Sequence, residues 1–276
     1  MGQPALGYSQ SIIRLSIAKI TIGIESNNDW LIKQLKHRYQ GYLLDENTQL
    51  TSKIYWTADR VGKQKWTPEI VFSPGGVHFN SPGYEGCIDE QQGEAVLKVR
   101  SSNPIEGVEY FLRVIYALLV FREGGLLIHG AGILHKGSAY LFIGHSGSGK
   151  TTIARYSMNN LVMNDDLIVI MSEQNGWRAY STPFWNPDQV LPTSLNAPLS
   201  VIFKLIQDQT VYLEPMSKAQ SLAELVSNIP IVTADPSRNE KVLRECLNLL
   251  SSIPSYKLHF LPDGSFWDVI QDELTH

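Results

Sequence analysis

The run Gly144-His145-Ser146-Gly147-Ser148-Gly149-Lys150-Thr151-Thr152 satisfies the pattern G-x-x-x-x-G-K-[ST]. It follows the apolar stretch Tyr140 to Ile143 and opens a segment, Thr151 to Met158, with the composition of a helix. A strand, a glycine loop and a helix start in that order form a phosphate cradle, because backbone without Cβ atoms curls tightly and aims N–H groups at phosphate oxygens. The helix start adds its dipole and free N–H groups. The pattern assigns Gly144, Ser146, Gly147, Ser148, Gly149, Lys150, Thr151 and Thr152 to nucleotide binding. Lys150 would reach the β- and γ-phosphates, and the Thr151 hydroxyl would bind Mg²⁺. The plain alternative is a Gly/Ser surface turn, and the strand before and helix after weigh against it.

Past the loop, chain length carries information. Nine helical residues from Lys150 to Met158 lead the chain about 13 Å away, at about 1.5 Å each. Asn159-Asn160 turn it, and Leu161 to Asn164 as a strand return a similar distance at about 3.3 Å per residue. Asp165-Asp166 therefore arrive back at the phosphate end. Two carboxylates there could hold Mg²⁺ and accept a proton from an attacking hydroxyl. On adjacent residues of a strand end their side chains diverge, which suits two roles. A solvated strand-end turn is the competing reading, and the length match favours function for at least one carboxylate.

The elements that must position these groups can be traced along the chain. Alternating apolar residues from Leu15 to Ile24 predict a strand, and Asn28 or Asp29 caps a helix bearing Leu31, Ile32, Leu35 and Tyr39. A strand is expected near Ile54-Tyr55-Trp56. Two hairpins follow, one around Pro74-Gly75-Gly76 and one from Gly86–Asp89 with Ala95–Ser101. His78 and the Trp56/Trp66 pair could line a substrate surface, although aromatics in a meander are more often packing. Residues 1–102 thus form a small, mostly antiparallel α/β region with a docking or structural role, and residues 103–276 form the nucleotide-binding domain.

Asn103-Pro104-Ile105-Glu106 is a helix start, with an apolar face at Val108, Phe111, Leu112, Ile115, Leu118 and Leu119 and a stop at Gly124-Gly125. Leu126 to His129 and the strand before the loop supply the sheet under it. The segment Trp177 to Pro187, after a turn at Glu173–Gly176, reads as a loop or edge near the site. Leu199–Leu205 and Thr210–Glu214 read as a hairpin across Gln207-Asp208-Gln209. Ser217–Gln220 is a capping box for a short helix through Val226. Asp235-Pro236 starts a longer one, and Tyr256 to Leu261 is the final strand.

Composition narrows the partners. The 276 residues are 43% hydrophobic and 18% charged, with a net charge of -4, so nothing favours nucleic acid or an anionic membrane. Cys87 and Cys246 lie far apart without His neighbours, which supports neither a disulfide framework nor a zinc site. Met1 to Gln10 lacks a basic region followed by an apolar core, and the apolar run Val114 to Phe121 is too short to span a bilayer. A cytoplasmic location is expected.

The order of these motifs resembles the catalytic core of the HPr kinase/phosphorylase family, whose fold is akin to phosphoenolpyruvate carboxykinase. The likeness lies in Leu126-Leu127-Ile128-His129-Gly130, the loop Gly144 to Thr151, and Leu161-Val162-Met163 leading to Asp165-Asp166. A looser likeness in pattern extends to about residue 270, especially to the HPr-kinase-like enzymes of peptide-tailoring systems. The resemblance implies an α/β P-loop kinase core with a mixed sheet. It places His129 at the active site near the acceptor or γ-phosphate, where the residues alone would favour a structural histidine. It also assigns Asp165 and Asp166 to the acceptor hydroxyl and the metal, and Gly144, Gly147, Gly149, Lys150 and Thr151 to phosphate and Mg²⁺. The family's later Glu-x-Arg-Gly signature has no counterpart, since Trp177 to Pro187 offers only Arg178. That argues against HPr itself as acceptor and against the reverse reaction.

The expectation is therefore a kinase dependent on Mg²⁺ and ATP, or another nucleoside triphosphate, acting on a hydroxyl, a serine of a peptide or small protein. Its catalytic residues would be Asp165, His129 and Lys150, with Thr151 and Asp166 on the metal; the two aspartates could exchange roles. A small-metabolite kinase and a nucleotide-binding regulatory module without transfer activity are the alternatives. Against a GTPase switch, no Asp-x-x-Gly or Asn-Lys-x-Asp follows the loop.

Overall fold

The computed structural model describes residues 12–57, 67–157, 161–185 and 194–274. Among these the chain is α/β, with two mixed sheets and six helices. None of the described helices is long and apolar enough to cross a membrane. The chain divides into two compact units, Met1–Ile115 and Tyr116–His276.

In the first unit, β1 (Ile12–Ile17) and β2 (Ile20–Ser26) occupy the stretch whose alternation predicts a single strand. They form a hairpin instead, with Leu15 opposite Ile22 and a turn at Ala18-Lys19, whose φ values are 53° and 65°. Positive φ at both central residues matches the twist of the flanking strands. The apolar positions shift from odd to even between Ile17 and Ile20, which is the trace this turn leaves. Next comes α1 (Asp29–Arg38), where the Asn28 side chain accepts from the Leu31 N–H as the capping signal predicts. Then follow β3 (Leu50–Thr57), β4 (Glu69–Ser73), β5 (Gly76–Ser81), β6 (Tyr84–Asp89) and β7 (Glu94–Arg100). The sheet order is β1-β2-β3-β7-β6-β5-β4. Both predicted hairpins are present, and only β3 pairs in parallel, with β2 and β7. Trp66 lies outside the described residues, whereas Trp56 packs on Trp30 with ring centroids 5.3 Å apart. His78 is exposed on β5, opposite Cys87. The helix α2 (Ile105–Arg122) begins where its start signals place it.

The second unit is built on β8 (Leu126–His135) and β9 (Ser138–Ile143). After the glycine loop come α3 (Lys150–Arg155), β10 (Leu161–Asn164), β11 (Leu167–Glu173), β12 (Gly176–Ser181) and β13 (Asn196–Gln207). The chain ends with β14 (Tyr212–Pro215), α4 (Lys218–Ser227), α5 (Asn239–Ser252), β15 (Ser255–Phe260) and α6 (Phe266–Leu274). Strand pairings run β8 to β11, β12, β13, β9 and back to β8, so five strands close on themselves. Phe142, Phe203, Leu258, Phe260, Phe266 and Trp267 fill the core beneath α3 and α6. Each such side chain contributes about 1.5–3 kcal/mol by leaving water.

Three expectations are revised here. The helix after the loop is α3, six residues rather than nine, with Tyr156 as its C-cap; Met158 and the Asn159-Asn160 turn lie outside the described residues. Gly176–Ser181, expected as loop or edge, is an internal strand between β11 and β12's other neighbour β13, because Trp177, Ala179, Tyr180 and Ser181 are all buried. The strands on either side of Gln207-Asp208-Gln209 are not a hairpin: β15 lies between them, parallel to β13 and antiparallel to β14. Tyr256 to Leu261 holds the final strand as expected, and after it the chain forms α6, whose Phe266, Trp267 and Ile270 are buried. The capping box of α4 is formed as expected, with Ser217 and Gln220 bonded reciprocally.

Candidate active site

Gly130 is the hinge of the geometry. On one side of β8 it pairs with Ile143, the last residue before the glycine loop. On the other, its N–H donates to the Asp166 carbonyl at 3.0 Å. Adjacent strands lie about 4.8 Å apart. The loop, Asp166 and His129 are thereby held within a few residues of one point on the sheet.

The double aspartate sits where β10 passes into β11. Asn164 is opposite Gly132 and Leu167 is opposite His129, so the two strands share one register along β8 with Asp165-Asp166 between them. Asn164, fully buried, fixes this crossing. Its Oδ1 accepts from the N–H groups of Asp166 and Leu167 at 2.7 and 3.1 Å. Its Nδ2 donates to the carbonyls of Thr182 and Phe184 at 2.9 and 2.8 Å. The sequence reasoning missed Asn164; its one signal was a polar residue directly after Leu161-Val162-Met163, where the strand should still be buried.

The glycine loop has the backbone that its composition anticipates. Gly147 and Gly149 have φ of 80° and 108°, a region costly for residues with a Cβ. A Cβ on Gly149 would stand 2.5 Å from the Phe260 ring. Lys150, only 7% exposed, folds back so that Nζ donates to the carbonyls of Gly144 at 2.7 Å and His145 at 3.1 Å. Burial pushes its amine below the usual lysine value, and the charges of Asp166 and then Asp165 oppose that shift.

A cavity of about 420 Å³ is lined by His129, Ser146, Gly147, Gly149, Lys150, Thr151, Thr152, Asp165, Asp166 and Gln207. Its size is within the range of small-ligand pockets. Most of the expected site residues meet there. Gly144 and Ser148 do not line it: Gly144 offers its carbonyl to Lys150, and Ser148 is buried with no partner for its hydroxyl among the described residues. Asp165 is 1% exposed and Asp166 9%. The His129 ring, 42% exposed, places Nε2 3.5 Å from Asp166 Oδ1. Gln207, expected in a hairpin loop, instead donates from Nε2 to the Gly147 carbonyl at 2.9 Å and walls the cavity opposite the aspartates' strand.

Among the described residues no group of three His, Cys, Asp or Glu side chains could hold a metal by itself. The donor set fits Mg²⁺ of the kind that takes one or two carboxylates, a hydroxyl and the oxygens of a bound phosphate. Thr151 and the two aspartates line one cavity together with Lys150 and the glycine loop.

Residues 102–275 match the family described as ScmC, SynChlorMet cassette protein. The match spans more than half of the chain and includes every residue lining the cavity. No curated protein matches the chain.

Proposed function

The chain belongs to the ScmC family, whose description names no reaction, and from its cavity we propose that it is a Mg²⁺-dependent, HPr-kinase-like P-loop phosphotransferase. It moves the γ-phosphoryl group of ATP to a hydroxyl, a serine of a peptide or small protein. The observation that carries this reading is the meeting of Lys150, Thr151, the glycine loop, Asp165 and Asp166 in one polar cavity, with His129 at its edge.

Phosphoryl transfer asks a protein mainly for positioning and charge neutralisation. The loop amides seat the phosphates. Lys150 leaves the carbonyls of Gly144 and His145 for the β- and γ-phosphate oxygens, a better match for a desolvated ammonium. Thr151 and Asp166 would hold Mg²⁺, which when bound neutralises charge on the phosphate oxygens. Asp165 accepts the proton of the serine hydroxyl as its oxygen bonds to the γ-phosphorus; the bond from the γ-phosphorus to the bridging oxygen breaks and ADP leaves. His129, with Nε2 3.5 Å from Asp166 Oδ1 at the rim of the cavity, would orient that carboxylate toward the acceptor.

The test is mass spectrometry of serine-containing peptides after incubation with the protein, ATP and Mg²⁺. Lys150→Ala should lose nucleotide binding, and Asp165→Asn should bind nucleotide and lose transfer. Phosphorylation retained by both variants refutes the proposal, and nucleotide binding without transfer or hydrolysis by the wild type leaves a binding module in its place.

A further inference from the structure

A second cavity, of about 680 Å³, adjoins the first and is lined by Thr152, Gln207, Asp208, Gln209, Phe260 and Pro262. Thr152 and Gln207 line both cavities, while Asp165, Asp166 and His129 line only the first. A triphosphate seated on the loop with its γ end at the aspartates has its α end toward Thr152. Whatever hangs from the α-phosphate must then enter the second cavity. The two chemistries differ accordingly: the first wall carries carboxylates and an ammonium, the second the apolar Phe260 and Pro262 with one carboxylate.

That carboxylate is held in place. Asp208 N–H donates to the Phe260 carbonyl at 3.1 Å. Its Oδ1 accepts from the Gln209 N–H at 2.6 Å, and its Oδ2 lies 2.7 Å from His259 Nδ1. The His259 ring is in turn stacked on Tyr212, with centroids 4.0 Å apart. The Thr210 N–H and the Tyr212 hydroxyl also bond to it, so with about four acceptor positions on a carboxylate a ligand hydroxyl takes the place of the Tyr212 hydroxyl. The Gln209 N–H and His259 also keep the Asp208 carboxyl below its usual range, in its acceptor-only form. A fixed acceptor beside an apolar wall suits a vicinal diol attached to a planar base.

We infer that this second cavity holds the nucleoside half of the triphosphate, with the Asp208 carboxylate accepting hydrogen bonds from the ribose hydroxyls. The inference rests on the reading of the loop as a triphosphate cradle, and it names Asp208 as the residue that distinguishes a ribonucleotide from bare polyphosphate or a deoxygenated sugar. His259 is its positioning residue.

Calorimetric titration of the full chain with Mg²⁺ and three probes, inorganic tripolyphosphate, ATP and 2′,3′-dideoxy-ATP, tests it. Wild type should bind ATP more tightly than tripolyphosphate and about tenfold more tightly than the dideoxy analogue, since bonds to a charged acceptor are the strong kind. Asp208→Ala should bind ATP and dideoxy-ATP alike, with tripolyphosphate affinity unchanged. Asp208→Asn, isosteric and still able to accept from Gln209, guards against loss of fold and should lose most of the same discrimination. Equal binding of ATP and dideoxy-ATP by wild type, or full discrimination by the Asp208 variants, overturns the inference. Tripolyphosphate binding that depends on Lys150, with no gain from the nucleoside, overturns it while sparing the cradle. No binding of any probe brings down both.

Discussion

Asn164→Leu offers the sharpest separation between scaffold and site. Leucine fills nearly the same volume, so the change is chemical. It removes the partners of four buried backbone groups: the N–H groups of Asp166 and Leu167 and the carbonyls of Thr182 and Phe184. Leaving a buried polar group unsatisfied costs about 1–3 kcal/mol. At the low end for each, since the crossing can relax and leucine adds apolar burial, the loss is about 4 kcal/mol. For a unit of this size about 1 kcal/mol lowers the melting temperature by about 2–4 °C, so calorimetry should show a fall of about 8–16 °C. Well below that transition the glycine loop is untouched, and ATP affinity by titration should stay within about threefold. Transfer should fall about a hundredfold, because an ångström of displacement in a reacting group has that effect. Asn164→Asp gives the complementary case: it keeps an acceptor for Asp166 and Leu167 but turns an anionic oxygen toward two carbonyls, and it should destabilise as well. A melting temperature within about 2 °C of wild type for Asn164→Leu, together with full turnover, would refute the claim that Asn164 sets the aspartates.

Two further outcomes follow from the loop. Gly149→Ala puts a Cβ 2.5 Å from the buried Phe260 ring at a φ of 108°; strain plus overpacking should destabilise by about 2–4 kcal/mol in chemical denaturation, and Phe260→Leu in the same chain should recover part of it. Nucleotide affinity should also depend on pH through Lys150. Burial lowers its amine's pKa, so affinity that needs the ammonium falls as pH rises through that lowered value, before an ordinary lysine would discharge. Because the unfolded chain keeps this proton to higher pH, ligand-free stability rises with pH across the same window. Asp166→Asn removes the larger of the two opposing charges and should move the fall in affinity to lower pH; titrations in a series of buffers that show no move would contradict the electrostatics.

How much of this was legible depended on how far apart in the chain the deciding groups lie. Signals written in four or five neighbouring residues came through: the Asn28 cap, the Pro74-Gly75 turn, the Ser217–Gln220 box and the glycine loop itself. The meeting of Asp165-Asp166 with the loop was also anticipated from chain length, although α3 is shorter than that reasoning assumed. Pairings decided by distant partners were not visible. Ile202 pairs with Ser255 and Leu258 with Leu213, so β15 enters between two strands that are neighbours in the chain; only burial on both faces of the finished sheet selects that order over a hairpin. Asn164 and Gln207 were hidden for the same reason. Their bonds reach Thr182, Phe184 and Gly147, and an amide in isolation carries no sign of which backbone it will satisfy.

The insertion of β15 has a functional consequence that ties these strands to the site. It brings Phe260 beneath Gly149 and His259 beside Asp208, so one strand supports both the positive-φ turn of the glycine loop and the carboxylate of the second cavity. A hairpin between β13 and β14 would have left Asp208 at a free tip and Gly149 without a floor. Two positions on β15 should therefore separate experimentally: Phe260→Ala should weaken tripolyphosphate, because it acts on the loop, and ATP more strongly still, because the ring also walls the second cavity, whereas His259→Ala should weaken ATP while leaving tripolyphosphate unchanged. Parallel losses for both probes in both variants would mean that β15 serves only the fold.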